Sequence, residues 1–188
     1  MRIIAGEFRG RLLKTLPGRD VRPTSDKLRG TLFNILRNEL PGAVFIDCYA
    51  GSGAVGLEAV SRGASRVYLI ENDAAAARVI EQNITALVLG SKVRLLRMDA
   101  QAGLCKLEAE SVRASICFFD PPYAALAEAA RNLDWLASSS LMDPAGLLIL
   151  EHSRKDASPE QAGAGAHPWK RTRLLHQGSS ALIFYRRQ

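Results

Sequence analysis

The chain has 188 residues, 47% hydrophobic and 23% charged, with a net charge of +6; that is room for one well-buried domain and not for two large ones. No apolar run approaches the roughly 20 residues that span a bilayer. The opening stretch MRIIAGEFRG lacks the apolar core of a secretion signal, so a cytoplasmic address is expected.

The charge is gathered at one end. Residues 1–37 hold nine basic residues against three acids, while the sixteen basic and sixteen acidic residues elsewhere cancel. A segment so biased reads as an arm for a polyanion. Arg2, Arg9, Arg11, Lys14 and Arg29 are its expected contacts. Cys48, Cys105 and Cys117 show no CxxC spacing, and His152, His167 and His176 show no metal-ligand spacing. Reduced thiols and no metal site are therefore expected.

In chain order, MRIIAGEFRGRLLKTL has two short apolar runs separated by Gly6 and Gly10, which predicts a β-hairpin. Thr24 or Ser25 then caps a helix with Asp26 in its first turn and an apolar stripe of Leu28, Leu32, Phe33, Ile35 and Leu36. Pro41 and Gly42 stop it. AVFIDCYAGSGAVGLEAVSRGA reads as a buried strand, a glycine turn and a helix. SRVYLIEND, KVRLLRMDA, ASICFFDPPY and AGLLILEHS supply four more strands, separated by helical segments such as AAAARVIEQNITAL and AALAEAARNLDWLA. Residues 153–168, small, polar and interrupted by Pro159, predict a mobile loop. Two strands joined at Gln177–Ser180 close the chain.

Strands alternating with helices predict a doubly wound α/β domain with a parallel sheet covered on both faces. The terminal pair makes an antiparallel edge. The expected organisation is a hairpin-and-helix extension over 1–40 and a main domain over 41–188.

In open α/β sheets ligands bind beyond the carboxyl ends of the strands. Four strands here finish on an acid: Asp47, Glu71, Asp99 and Asp120. A single such acid is ordinarily a turn or cap residue, but four in succession predict a groove for a ligand rich in amino and hydroxyl donors. Between the first two lies GSGAVG, Gly51 to Gly56, which fits G-x-G-x-x-G with Glu71 about 20 residues on, at the place of a ribose-binding acid. That spacing alone does not separate a nicotinamide dinucleotide from S-adenosylmethionine. Asp47, four residues before Gly51, suits the ammonium of a sulfonium amino acid and repels a pyrophosphate. No second nucleotide-binding half follows. Both points favour the methyl donor.

The stretch Asp120-Pro121-Pro122-Tyr123 gives that donor a purpose. An exocyclic amino nitrogen is a poor nucleophile because its lone pair is delocalised into the base. The Asp120 carboxylate and the Pro121 carbonyl can each accept one amino hydrogen and aim the lone pair at the methyl group. Tyr123 can stack on the base, a contact worth roughly 1–3 kcal/mol. Prolines fix carbonyl direction without adding donors, so catalysis is expected from orientation and placed acceptors.

On these residues the chain resembles the RsmD family of bacterial 16S ribosomal RNA guanine-N2 methyltransferases. The segments that carry the resemblance are RIIAGEFRGRLL, RPTSDKLRGTLFNIL, DCYAGSGAVGLEAVSRGA, ENDAAAARVIEQN, FDPPY and GSSALIFYRR. The glycine and DPPY elements mark amino-methylating enzymes broadly, whereas the arginine-rich start followed by Arg22-Pro23-Thr24 is more specific. The resemblance implies a seven-stranded, Rossmann-like methyltransferase fold, S-adenosyl-L-methionine as cofactor, and transfer to N2 of one guanine in an assembled or late-assembling 30S particle. A monomer with no membrane association is expected. By matched position, Asp47, Gly51 and Gly53 would face the methionine part of the cofactor, and Arg22 and Thr24 would close over it. Glu71, with Asn72 beside it, would hold the ribose; Asp99 and Ala100 would bind the adenine. Asp120, Pro121, Pro122 and Tyr123 would handle the guanine, and the basic arm the RNA. Gly30, where relatives usually carry glutamate, departs from the pattern and costs about 1 kcal/mol of helix propensity relative to alanine. Two other readings stay open: a DNA adenine amino-methyltransferase, and a non-catalytic cofactor-binding factor of ribosome assembly.

Overall fold

The computed structural model describes residues 1–16, 26–122, 125–163 and 168–187. Arg22, Thr24 and Tyr123, and the helix cap expected at Thr24 or Ser25, lie outside the described residues. The chain divides into two compact units, Met1–Met98 and Asp99–Gln188; the basic arm belongs to the first.

The first unit contains helix α1 (Asp26–Ile35), a 3-10 turn at Leu36–Asn38, strand β1 (Val44–Cys48), helix α2 (Ala54–Ser61), strand β2 (Arg66–Ile70), helix α3 (Ala74–Ala86) and strand β3 (Val93–Leu96). The three strands run parallel in the order β3-β2-β1. The register sets Asp47 opposite Leu69 and Cys48 opposite Ile70, so β1 and β2 finish level with one another. Four of the five residues of β1 are buried, the near-continuous burial expected of a parallel strand covered on both faces.

Helix α2 is buried over all eight of its residues, so it is a core helix rather than an amphipathic one. Gly56 permits its close approach to the sheet. A Cβ there would stand 2.2 Å from Leu69 Cδ2 and 2.9 Å from Val67 Cγ1. Helix α3 begins on Asp73, whose Oδ1 accepts from Ala75 N–H at 2.9 Å and Ala76 N–H at 2.8 Å, satisfying two of the donors that a helix start leaves open.

The expected N-terminal hairpin is shorter than its sequence suggests. Its pairing reduces to one antiparallel bridge between Arg2 and Leu12, with Ile3 N–H donating to Arg11 carbonyl at 3.0 Å and Leu13 N–H to Met1 carbonyl at 2.9 Å. The physical reason lies in what Ile4, Ala5, Glu7 and Phe8 do instead: their amides bond to α2, not across a hairpin.

The second unit contains helix α4 (Ala100–Ala109), strand β4 (Ala114–Phe119), helix α5 (Leu126–Ser138) and strands β5 (Met142–Ser153), β6 (Gln161–Ala162), β7 (Trp169–Gln177) and β8 (Ser180–Arg187). Its strand order is β4-β5-β8-β7-β6, parallel between β4 and β5 and antiparallel from β5 onward. The antiparallel edge is therefore as the sequence predicts. The β7–β8 hairpin turns on Gly178, with φ of 62°, between the paired residues Gln177 and Ser180.

One strand is additional to the expected seven. The two-residue β6 lies inside the segment predicted to be a mobile loop, and the described part of that segment is pinned. Arg171 Nη1 donates to Ser158 carbonyl at 2.6 Å, Tyr185 Oη to Pro159 carbonyl at 3.1 Å, and Gly163 N–H to Asp134 Oδ1 at 2.9 Å. Small polar residues predicted a loop from composition; side chains distant in sequence hold its backbone.

Candidate functional site

The turn between β1 and α2 is built to stay open. Tyr49, Gly51 and Gly53 have φ of 64°, 57° and 78°, a left-handed run that glycine adopts freely and tyrosine at a cost of order 1–3 kcal/mol. A Cβ added at Gly51 would meet nothing within 4 Å, so its backbone borders open space. Gly53 precedes α2 directly, where amide groups of the first turn lack helical partners.

Two of the expected acids hold this turn in place. Glu71 Oε2 accepts from Gly51 N–H at 2.7 Å, and its Oε1 from Asp73 N–H at 2.8 Å. Each carboxylate oxygen keeps a further lone pair, so the group fits a ribose diol as well as the turn. Asp47 is 2% exposed, and its Oδ2 accepts from Gly56 N–H at 2.9 Å. Asn72, next to Glu71, is exposed.

The arm is fastened to the same helices by polar side chains that burial would otherwise penalise. Glu58 of α2 is fully buried; it accepts from Ile4 N–H at 2.7 Å, Ala5 N–H at 3.0 Å and Arg62 Nε at 2.6 Å. Ser61 Oγ accepts from Phe8 N–H at 3.0 Å and donates to Ala5 carbonyl at 2.6 Å. Gly6 is pressed so close that a Cβ would stand 1.8 Å from Ser61 carbonyl oxygen. Further along, Asn83 of α3 joins the arm at Lys14.

Arg2, Arg9, Arg11 and Lys14 are exposed on this arm, and Arg2 and Arg9 border a concavity of about 310 Å³ with Ile3, Ile4, Gly10 and Asp26. Arg29 corrects the sequence reading. Its side chain has no exposed surface; Nη2 donates to Arg2 carbonyl at 2.6 Å and to Asp26 Oδ1 at 3.0 Å, and Nη1 to Met1 Sδ at 2.8 Å. Burial pulls its pKa below the ordinary value, with Asp26 and Glu58 opposing. Arg29 is thus an internal brace that holds the start of the chain on α1, and a polyanion cannot reach it.

In the second unit Asp99 caps α4, its Oδ1 accepting from Ala102 N–H at 2.8 Å, and the carboxylate is exposed. Ala100, the first residue of α4, is buried. At the end of β4, Asp120 and Pro121 are half-buried and Pro122 is exposed. The Pro122 carbonyl accepts from Ala125 N–H at 2.7 Å. Among the cysteines, Cys48 and Cys117 are buried and Cys105 is exposed, all three as free thiols.

A family model described as conserved hypothetical protein 95, the RsmD family, matches residues 1–186. The chain belongs to the RsmD family. The Ribosomal RNA small subunit methyltransferase D of Escherichia coli (strain K12) is 39% identical over 147 residues, covering 76% of this chain and 72% of the relative. Its namesake in Haemophilus influenzae is 34% identical over 190 residues, covering 99% and 92%. A solved structure, the putative methyltransferase yhhF from Escherichia coli, superposes with a TM-score of 0.84 at 30% identity, covering 100% of this chain and 98% of that one. The fold of this RsmD-family chain is accordingly an α/β methyltransferase fold. Among the described residues no helix is long and apolar enough to cross a membrane.

Sequence reasoning about this RsmD-family chain missed Glu58, Ser61 and Asn83. One signal was available: Glu58 and Ser61 are polar residues in an otherwise apolar helical run, and Asn83 falls on the apolar face of α3, placements that cost free energy unless partners are near.

Proposed function

We propose that this protein transfers a methyl group from S-adenosyl-L-methionine to the exocyclic N2 amino group of one guanine in small-subunit ribosomal RNA, within an assembled or late-assembling particle. The observation that carries this reading is the glycine turn braced by Glu71 and Asp47 in a chain of the RsmD family. The cofactor, when bound, supplies an electrophilic methyl on a sulfonium.

The residues divide the work. Gly51 and Gly53 let backbone approach the methionine part, Asp47 keeps the turn and α2 in place, and Glu71 takes the ribose hydroxyls. Asn72, Asp99 and Ala100 border the nucleoside, and Arg22 and Thr24 complete the cofactor end. Asp120 and the Pro121 carbonyl accept the two amino hydrogens of guanine, which directs the nitrogen lone pair outward, and Tyr123 stacks on the base. After transfer the surplus amino proton leaves to Asp120 or to water. Arg2, Arg9, Arg11 and Lys14 hold RNA phosphates, a contact that weakens as salt rises.

The test is transfer of tritiated methyl from S-adenosylmethionine to small subunits from a strain lacking this enzyme, followed by mass mapping of the RNA. Labelled N2-methylguanine is the expected product. Folded, cofactor-binding protein that labels no subunit would defeat the proposal, and preferential labelling of DNA would replace it with the adenine reading.

A further inference from the structure

Asn83 stands where the arm and the glycine turn meet. Of the four buried residues of α3, Ala76, Ala77, Ile80 and Asn83, it alone is polar, and asparagine is among the weaker helix formers. Its carboxamide nonetheless makes three hydrogen bonds to backbone. Oδ1 accepts from Lys14 N–H at 2.8 Å; one Nδ2 hydrogen goes to Lys14 carbonyl at 3.1 Å and the other to Ser52 carbonyl at 3.1 Å. The side chain thus pairs with Lys14 as a neighbouring strand would, while its remaining donor holds the residue between Gly51 and Gly53. Only a carboxamide has one acceptor and two donors in a plane of this size. A carboxylate would set charge against two carbonyls, and an apolar isostere would remove the partner of the Lys14 N–H, the Lys14 carbonyl and the Ser52 carbonyl together.

We propose that Asn83 is a positioning residue that ties the basic arm to the glycine turn, so that filling the turn with cofactor and immobilising the arm for RNA are coupled events. This rests on the reading of the turn as the S-adenosylmethionine site. The coupling has a short physical route: Ser52 carbonyl, the Asn83 carboxamide, and the backbone of Lys14, eight residues before Arg22 in the sequence. Because linkage is reciprocal, an arm fixed on RNA favours the turn conformation that accepts cofactor, and the reverse holds equally.

The experiment measures S-adenosylmethionine affinity by titration, and amide hydrogen exchange at Lys14, in the full chain and in Asn83→Asp and Asn83→Leu. In the wild type, saturating S-adenosylmethionine should slow exchange at Lys14 at least threefold. In the variants affinity should fall about tenfold, and the response at Lys14 should vanish while that at Gly53 persists. With ribosomal particles as acceptor, KM for S-adenosylmethionine should rise by a similar factor and kcat should change less than threefold, a split that general destabilisation does not produce. Folded variants with wild-type affinity would overturn the proposal. So would a wild-type Lys14 amide indifferent to bound cofactor, a measurement that decides the matter even where both variants fail to fold. Failure of the wild type to bind S-adenosylmethionine would instead remove the reading of the turn itself, and the coupling with it.

Discussion

The glycine turn of the first unit and the proline tip of the second reach rigidity by opposite means. Around Gly51 and Gly53 the backbone has almost no steric preference of its own, so conformational freedom is removed from outside. Glu71 holds Gly51, Asp47 holds Gly56, and Asn83 holds Ser52. At Asp120-Pro121-Pro122 the pyrrolidine rings set φ covalently, and Ala125 N–H donates to the Pro122 carbonyl. A backbone that must come close to a ligand cannot carry side chains and has to borrow its order. A backbone that only presents acceptors can carry its order within itself. Damage should therefore spread from the turn's neighbours and stay local at the tip.

Asp120→Ala tests the local half and should have the largest effect. Methyl transfer to small subunits should fall roughly 100-fold or more, the loss typical of a removed electrostatic partner, with cofactor affinity within about twofold. A parallel fall in cofactor affinity would break the contrast. The arm comes next: Arg9→Glu with Arg11→Glu should weaken particle binding by about tenfold or more and flatten its salt dependence, read by filter binding at several ionic strengths. Both side chains are exposed, so the melting temperature should hold.

Glu71→Ala tests the borrowed order directly. Gly51 N–H loses its buried acceptor, a change of about 1–3 kcal/mol, and titration should show S-adenosylmethionine affinity reduced by about tenfold with thermal stability also lowered. Gly56→Ala acts through packing alone. The new Cβ would stand 2.2 Å from Leu69 Cδ2, and overpacking of this kind costs about 1–3 kcal/mol, measurable by denaturant unfolding. Wild-type stability in this variant would mean that α2 is free to shift.

The smallest effect concerns pH and the second unit. Burial pushes the His152 imidazole below its usual 6.5, with Ser153 backbone and Asp156 opposing. A base whose folded pKa is depressed takes up its proton more readily when unfolded. Its contribution to stability is whole above pH 6.5 and is lost as pH falls toward the lower folded value. His152→Gln should flatten the acid limb of a stability-against-pH curve without moving the neutral plateau.

Much of the architecture was legible because it follows from local periodicity. Buried strand runs such as AVFIDC and ASICFF and the turn at Gln177–Ser180 each declare themselves within a few residues. The acids at the strand ends were legible too, since strand ends and glycine spacing are local features. Arg29 misled because charge count ignores direction: on α1 it points inward, to Arg2 carbonyl and Asp26. The strand β6 and the pinned segment around it escaped notice because Arg171, Tyr185 and Asp134 lie too far along the chain for any local pattern to foresee.

By itself, then, the order of residues determined which segments become strand or helix, where the backbone must bend, and which chemical groups stand at strand ends. Those choices depend on side-chain sterics and periodicity over a handful of positions. Only the tertiary structure decided that Glu58, Ser61 and Asn83 receive the arm and that Arg29 is internal. Buried polar groups take whichever partners packing brings within hydrogen-bond distance, and for these residues the partners in the arm come from 27 to 69 positions away.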